Sequence, residues 1–273
     1  MKIKHLLCFI ALCLFFTPGK AQQLSVMTLR NGATVYIWED KSKPDVFGMI
    51  AFKVGSVDDP EQYTGLAHYL EHVMFKGTQT IDALDWEKEK PIYENIIAKY
   101  DERAALSAPA AREAVDKEIN DLTREAAQYA AGNEFSLLVD HMGGQGLNAS
   151  TGYDQTEYHN SFPPSQLEKW LEIYSERLID PVFRASQTEL EAVYEEYNMY
   201  NDDRGSRMRE FIYEQAFGDH PYARPIIGLP EHLKNPQLSK LIDFYNTWYG
   251  PQNMSIILVG NIDAKEAIPM IRD

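Results

Sequence analysis

The chain contains very little cysteine: of its 273 residues only Cys8 and Cys13 carry a thiol. Both lie in residues 1–21, where two lysines, an apolar run and small residues up to Ala21 form the pattern of a bacterial signal peptide. We therefore expect cleavage after Ala21 and a secreted or periplasmic protein. The mature chain would then have no disulfide and no thiolate, so histidine and carboxylate groups must bind any metal.

Basic residues are also scarce, because 26 lysines and arginines face 41 acidic residues and give a formal net charge of −15. A strongly acidic chain repels phosphate groups, which argues against nucleic acid and anionic membrane surfaces as partners. No long hydrophobic run follows the first 21 residues, so we expect no membrane span. The rest of the chain is long enough to form one substantial domain.

The most informative motif is His68-Tyr-Leu-Glu71-His72. Residues four apart on a helix lie on the same face, so both histidines can direct a ring nitrogen at one metal ion. Glu71 lies at the edge of that face, where its carboxylate can accept a proton from a water molecule beside the metal. This spacing is the inverted form of the zinc-peptidase motif, and it predicts metal-assisted hydrolysis.

The same residues could instead belong to a surface helix with two solvated histidines and a glutamate. A helix is expected in either case, because Thr64 can cap its start and Gly77 can close it in the left-handed conformation. The apolar residues of this helix define a core face, and the histidines lie on the neighbouring strip. That arrangement favours a half-buried metal site.

Zinc needs a third protein ligand, and the acidic segment that begins near Gln187 offers candidates. Glu189 and Glu196 are seven residues apart, two helical turns, and therefore share a face of a helix that we predict from 187 to 213. Glu191 and Glu195 form a rival pair at a spacing of four and point elsewhere. Without the upstream motif, such an acidic helix would be interpreted as a solvated surface.

Taken together, the motifs resemble those of the pitrilysin-type inverzincin metallopeptidases, the family of insulin-degrading enzyme and the mitochondrial processing peptidases. The resemblance covers nearly the whole mature chain and keeps the order of the motifs. The matching segments are Gly65–Thr78, Leu147–Thr151, Gln155–Tyr158, Glu189–Glu196, His220–Tyr222, Ile227–Gly228, Tyr249–Met254 and Val259–Gly260.

The resemblance implies a role for each matching residue. His68, His72 and Glu196 would hold one Zn²⁺ per chain, with Glu71 as the general base. Glu189 would support catalysis from beside the metal site. Asn148 and Ala149 match the edge-strand segment along which such enzymes bind the substrate backbone.

The chain departs from the family pattern in two places. The segment between His72 and Glu196 is unusually long, and helical periodicity on both sides of Pro109 predicts an inserted helical hairpin within 79–134. The metallopeptidase domain would span 22–235, and 236–273 would begin a following segment that is truncated. We also find no match to the arginine and tyrosine that the family's second half supplies, so we expect a missing half or a partner subunit.

The strand and helix patterns predict an α+β fold, in which helices cover a mixed, largely antiparallel sheet. Such a unit would be one half of a pitrilysin-type clamshell. The predicted function is a zinc-dependent endopeptidase acting on peptides or small unfolded polypeptides. The alternative is a non-catalytic subunit that binds peptides or completes a two-chain peptidase.

Overall fold

The computed structural model describes residues 24–272. The predicted signal peptide at 1–21 lies outside the described residues. Within the described part, no helix is both long and apolar enough to cross a membrane.

Six strands form one sheet in the order β1-β2-β6-β3-β5-β4. Only the β2–β6 pair is parallel, and the other neighbouring pairs are antiparallel. The sheet is therefore mixed and largely antiparallel, as predicted. The strands are β1 (Leu24–Thr28), β2 (Thr34–Glu39), β3 (Val46–Phe52), β4 (Gln145–Thr151), β5 (Thr156–Phe162) and β6 (Met254–Gly260).

One face of the sheet carries the core, because buried and half-buried residues alternate along β3 and β5 with the strand period of two. Helices pack against that face and confirm the α+β class. They are α1 (Leu66–Val73), α2 (Trp86–Ala105), α3 (Pro109–Ala126), α4 (Glu134–His141), α5 (Leu167–Ile179), α6 (Ser186–Asp202), α7 (Arg204–Phe217), α8 (Pro230–Leu233), α9 (Leu238–Trp248) and α10 (Ala264–Arg272).

The predicted hairpin is present as α2 and α3, which are separated at residues 106–108. Ile96 and Tyr100 of α2 are buried, as are Val115 and Ile119 of α3. The hairpin thus buries its apolar stripes in the common core. Its boundaries at 79 and 134 stay a prediction.

The prediction of a single helix from 187 to 213 was wrong, because the chain breaks at Asp203 between α6 and α7. Asp203 has extended backbone angles, and its side chain accepts a hydrogen bond from the Ser206 N–H at 2.7 Å. An aspartate that caps a new helix competes with continuation of the old one. The break turns α7 in a new direction.

Arg177 is the most unusual buried group of α5, with only 1% of its surface exposed. Its Nε donates to the Met74 carbonyl at 3.0 Å, just beyond the end of α1. Its guanidinium carbon lies 4.3 Å from the ring centres of Phe75 and Tyr158, and 4.6 Å from that of Phe135. Cation–π attraction in this aromatic box offsets part of the cost of burying the charge.

Candidate metal centre

Helix α1 begins differently from the prediction. Gly65 precedes it in the left-handed conformation, with φ of 90°. The buried carboxylate of Asp59 accepts hydrogen bonds from the N–H groups of Gly65 at 2.7 Å and Ala67 at 2.9 Å. Thr64 is not the cap, because its hydroxyl accepts from the Leu229 N–H at 2.9 Å instead. Asp59, six residues before Gly65, therefore satisfies N–H groups at the start of α1 that Thr64 was expected to satisfy.

Helix α1 also ends earlier than the prediction, at Val73. Gly77 does adopt a left-handed conformation, with φ of 85°, but it follows the helix by four residues. A Cβ at Gly77 would lie 2.4 Å from the Ile81 carbonyl oxygen, so glycine is required there by close backbone approach.

The structure brings His68, His72 and Glu196 together. Glu196 Oε2 lies 3.5 Å from His68 Nε2 and 3.7 Å from His72 Nε2. The candidate ligand atoms of all three residues lie within 4.8 Å of one another. Tetrahedral zinc ligands at about 2.0–2.1 Å from the ion lie roughly 3.4 Å apart, so this trio fits a zinc ion.

The electrostatics of the trio also suit a metal. Burial, together with the neighbouring His72 charge, lowers the pKa of His68 to about 3, so the ring is neutral and has a free lone pair. Burial also lowers the pKa of His72, but contact with Glu189 and the charges of Glu196 and Glu71 outweigh it, and the net shift is upward. The two histidine rings meet edge to face, with centres 4.8 Å apart.

Glu189 lies behind the trio and bridges His72 to a lysine. Its Oε2 is 3.4 Å from His72 Nδ1, and its Oε1 is 2.6 Å from Lys76 Nζ. Burial raises the pKa of Glu189, but the contacts with His72 and Lys76 dominate and lower it overall. A carboxylate on the outer nitrogen of a ligating histidine orients the ring and increases its basicity.

Glu71 is 8% exposed and lies beside the trio. The Thr151 hydroxyl donates to Glu71 Oε2 at 2.6 Å, which holds the carboxylate in place. Burial raises the pKa of Glu71, although the Thr151 hydrogen bond and the His72 charge oppose the shift. A raised pKa makes the carboxylate a better proton acceptor near neutral pH.

These residues line a cleft of about 650 Å³. Asn148 and Ala149 of β4 form one wall of it. Among the described strands β4 pairs with β5 alone, so its outer edge is free. The rival acids Glu191 and Glu195 line a separate cavity of about 410 Å³ beside the hairpin.

Sequence reasoning missed three contributors to the site. Asp59, Lys76 and Thr151 contact it through hydrogen bonds or an ion pair. Lys76 follows His72 by four residues, and helical spacing could have indicated it. No sequence pattern predicts the hydrogen bonds of Asp59 to the start of α1 or of Thr151 to Glu71, since both depend on how the chain folds around the helix.

Residues 34–90 and 111–229 match the family model described as Insulinase (Peptidase family M16). The chain belongs to this family. Residues 237–273 match a second model, described as Peptidase M16 inactive domain. The first match passes over residues 91–110, which lie within the predicted hairpin insertion.

Curated relatives are named as zinc proteases. The chain is 25% identical over 264 residues to the probable zinc protease PqqL of Escherichia coli, covering 92% of the chain and 23% of the relative. It is 24% identical to the zinc protease PqqE of Helicobacter pylori, covering 89% of the chain and 45% of the relative. The chain thus spans 23% of the length of one of these relatives and 45% of the other.

Solved structures agree on the fold. A protease from Helicobacter pylori matches with a TM-score of 0.69 at 21% identity, covering 92% of the chain and 49% of that structure. The first half of the periplasmic protease PqqL from Escherichia coli matches with a TM-score of 0.68 at 25% identity, with 92% and 46% covered. Pitrilysin matches with a TM-score of 0.67 at 22% identity, covering 94% of the chain and 23% of that structure.

Proposed function

We propose that this chain is the metal-binding part of a zinc-dependent endopeptidase that hydrolyses peptides or small unfolded polypeptides. The convergence of His68, His72 and Glu196 on one point beside Glu71 carries this proposal. The zinc protease names of the relatives support it. One zinc ion per chain would occupy the trio.

His68, His72 and Glu196 would hold the zinc ion, which would supply a positive charge to acidify a water molecule and polarise a carbonyl group. Glu71 accepts the proton of the attacking water and passes it to the leaving amine. Thr151 keeps the Glu71 carboxylate oriented through its 2.6 Å hydrogen bond. Glu189 keeps His72 oriented through the contact with its Nδ1.

The free edge of β4 would hold the substrate in an extended conformation. Asn148 and Ala149 offer backbone groups on the wall of the cleft that contains Glu71. Pairing main chain to main chain accepts many sequences, because backbone groups are common to all of them. An unfolded polypeptide can reach this edge, whereas a folded strand inside a sheet cannot.

A second half or a partner subunit would complete the cleft by contributing an arginine and a tyrosine. The name of one similar structure, the first half of a periplasmic protease, supports both a two-half architecture and a location in the periplasm or outside the cell. Export would depend on the signal peptide predicted at 1–21.

The test compares Glu71→Gln, His72→Ala and the unchanged chain for zinc content and for cleavage of a mixed peptide library, with and without chelator. Glu71→Gln should retain one zinc and lose cleavage, since the amide cannot accept the proton. His72→Ala should lose both. Glu191→Gln is a matched control on the same helix as Glu196, because it faces the other cavity and should change neither.

Retained cleavage in Glu71→Gln would refute the assignment of the base. Zinc without cleavage in the unchanged chain would favour the alternative role, a non-catalytic peptide-binding or partner subunit. Adding the second half of the protein would then distinguish an incomplete enzyme, which gains activity, from a binding subunit, which does not.

A further inference from the structure

Helix α7 forms a wall of the zinc cleft although little of it is buried. Ser206 is 6% exposed and Tyr213 is half-buried, whereas the other residues of α7 are exposed. The Asp203 cap fixes the start of the helix. Near its end, the Tyr213 ring stacks on Tyr153 with centres 5.4 Å apart and an angle of 10° between the planes. The wall is therefore anchored on both sides of its middle turn.

Arg209 lies between these two anchors and lines the cleft together with His68 and Glu71. Its Nη2 donates to Ser206 Oγ at 3.3 Å, so the guanidinium reaches back toward the start of α7. Among the described residues, no carboxylate forms an ion pair with it within 4.0 Å. The charge is thus held in position and remains open to the cleft.

Arg209 is the only lysine or arginine among the described residues that line this cleft, so it is the full positive charge there that an anionic group of a ligand can meet. The carboxylate of Glu189 is already matched by Lys76, and Glu196 by its place in the zinc trio. The Asp203 carboxylate already caps the start of α7, and its pKa is lowered by the hydrogen bonds from Ser206 and, to a smaller extent, by the charge of Arg209. Asp203 forms no ion pair with Arg209 within 4.0 Å, so the guanidinium keeps N–H groups for a ligand. A guanidinium presents parallel N–H groups that fit the two oxygens of a carboxylate.

We propose that Arg209 binds a carboxylate of the substrate, either an aspartate or glutamate side chain or the free C-terminus of the peptide. This proposal rests on the peptidase function proposed above and names its substrate class: peptides with a negative group close to the scissile bond. Arg209 is then a specificity-determining residue of the cleft. Glu210, the next residue, also lines the cleft, but among the described residues it forms no ion pair with Arg209, since neighbouring residues of a helix do not face each other.

The test measures peptide binding without turnover, using the zinc-loaded Glu71→Gln chain and fluorescence anisotropy. Eight-residue labelled peptides carry a single glutamate, glutamine or lysine that is moved through each position, with either a free or an amidated C-terminus. A glutamate or a free terminus at one position should improve the dissociation constant about tenfold over its neutral counterpart. The position of the effect distinguishes a side-chain carboxylate from a terminal one.

Arg209→Gln should abolish this preference, and Arg209→Glu should reverse it in favour of lysine. Arg207→Gln is the matched control, because Arg207 is exposed on another face of α7 and does not line the cleft. Glu210→Gln should keep or strengthen the preference. A carboxylate preference that survives Arg209→Gln, or a preference of the unchanged cleft for lysine, overturns the proposal.

The two proposals fail in different ways. Chelator-sensitive cleavage by the wild-type chain, with no carboxylate preference in binding, would reject the role of Arg209 and keep the peptidase. An Arg209-dependent preference in a chain that never cleaves, even with its second half added, would keep the carboxylate site and reject the peptidase. Zinc content and circular dichroism of each variant show whether a loss of binding comes from unfolding.

Discussion

Replacing Asp59 by alanine tests whether this buried acid, which precedes the helix by several residues, holds the start of α1. Asp59 is 5% exposed, so water cannot replace its hydrogen bonds to Gly65 and Ala67, at 2.7 and 2.9 Å. Each hydrogen bond to a charged group contributes about 1.5–3 kcal/mol, so the loss of both should cost about 3 kcal/mol or more. For a domain of this size the melting temperature should fall by roughly 10 °C.

The cost should also depend on pH. Burial raises the pKa of Asp59 to about 7, against 3.8 for the ordinary group, because desolvation outweighs the two hydrogen bonds that favour the carboxylate. The folded state therefore binds its proton more tightly than the unfolded state. The protonated Asp59 therefore adds its whole contribution to the free energy of unfolding at acid pH, and this contribution is lost as the pH rises through the folded pKa. Between pH 5.5 and 8 the loss is about 2 kcal/mol.

Alanine does not titrate, so Asp59→Ala should cost about 3 kcal/mol at pH 8 and about 5 kcal/mol at pH 5.5. Urea unfolding of the zinc-free chain at both pH values, followed by circular dichroism, measures the difference without metal linkage. Glu61→Ala is the control, because Glu61 is exposed and should change stability by under about 0.5 kcal/mol. A loss below about 1 kcal/mol at both pH values would refute the capping role.

Three further substitutions test packing and metal support. The buried Arg184 donates to both carboxylate oxygens of Glu89, at 2.6 and 2.8 Å, and Glu89→Gln removes its counter-charge. Chemical denaturation should show that the free energy of unfolding falls by about 3–5 kcal/mol. Gly48→Ala places a Cβ 2.7 Å from two aromatic rings, and calorimetry should show a lower melting temperature from a cost of about 1–3 kcal/mol. Lys76→Met removes the ion pair between Lys76 Nζ and Glu189 Oε1, which are 2.6 Å apart. Zinc affinity, measured by competition with a chelator, should fall about 10–100-fold, because Glu189 would no longer be held against His72. Unchanged zinc affinity would contradict this supporting role of Lys76.

The local patterns of the sequence predicted most of the fold. The strand and helix patterns predicted the α+β class with its mixed, largely antiparallel sheet, and the helical periodicity on both sides of Pro109 predicted the hairpin. These features depend on neighbours within one or two turns, where periodicity is read directly. The break at Asp203 is also local, but it was missed because the helical pattern on both sides of it was assigned to one helix from 187 to 213. Asp203 in fact caps a new helix.

The sequence by itself determined that His68 and His72 share one face of α1, because a spacing of four places them there wherever the helix lies. It also favoured Glu196, whose spacing from Glu189 puts both on one side of α6. Tertiary structure alone decided that Asp59 caps α1, that Thr151 orients Glu71, and that α7 brings Arg209 to the cleft. Thr151 and Glu71 are 80 residues apart in sequence, and no periodicity encodes which distant segments pack together. Asp59 is only six residues before Gly65, but its contacts depend on how the loop ahead of α1 folds back over the start of the helix.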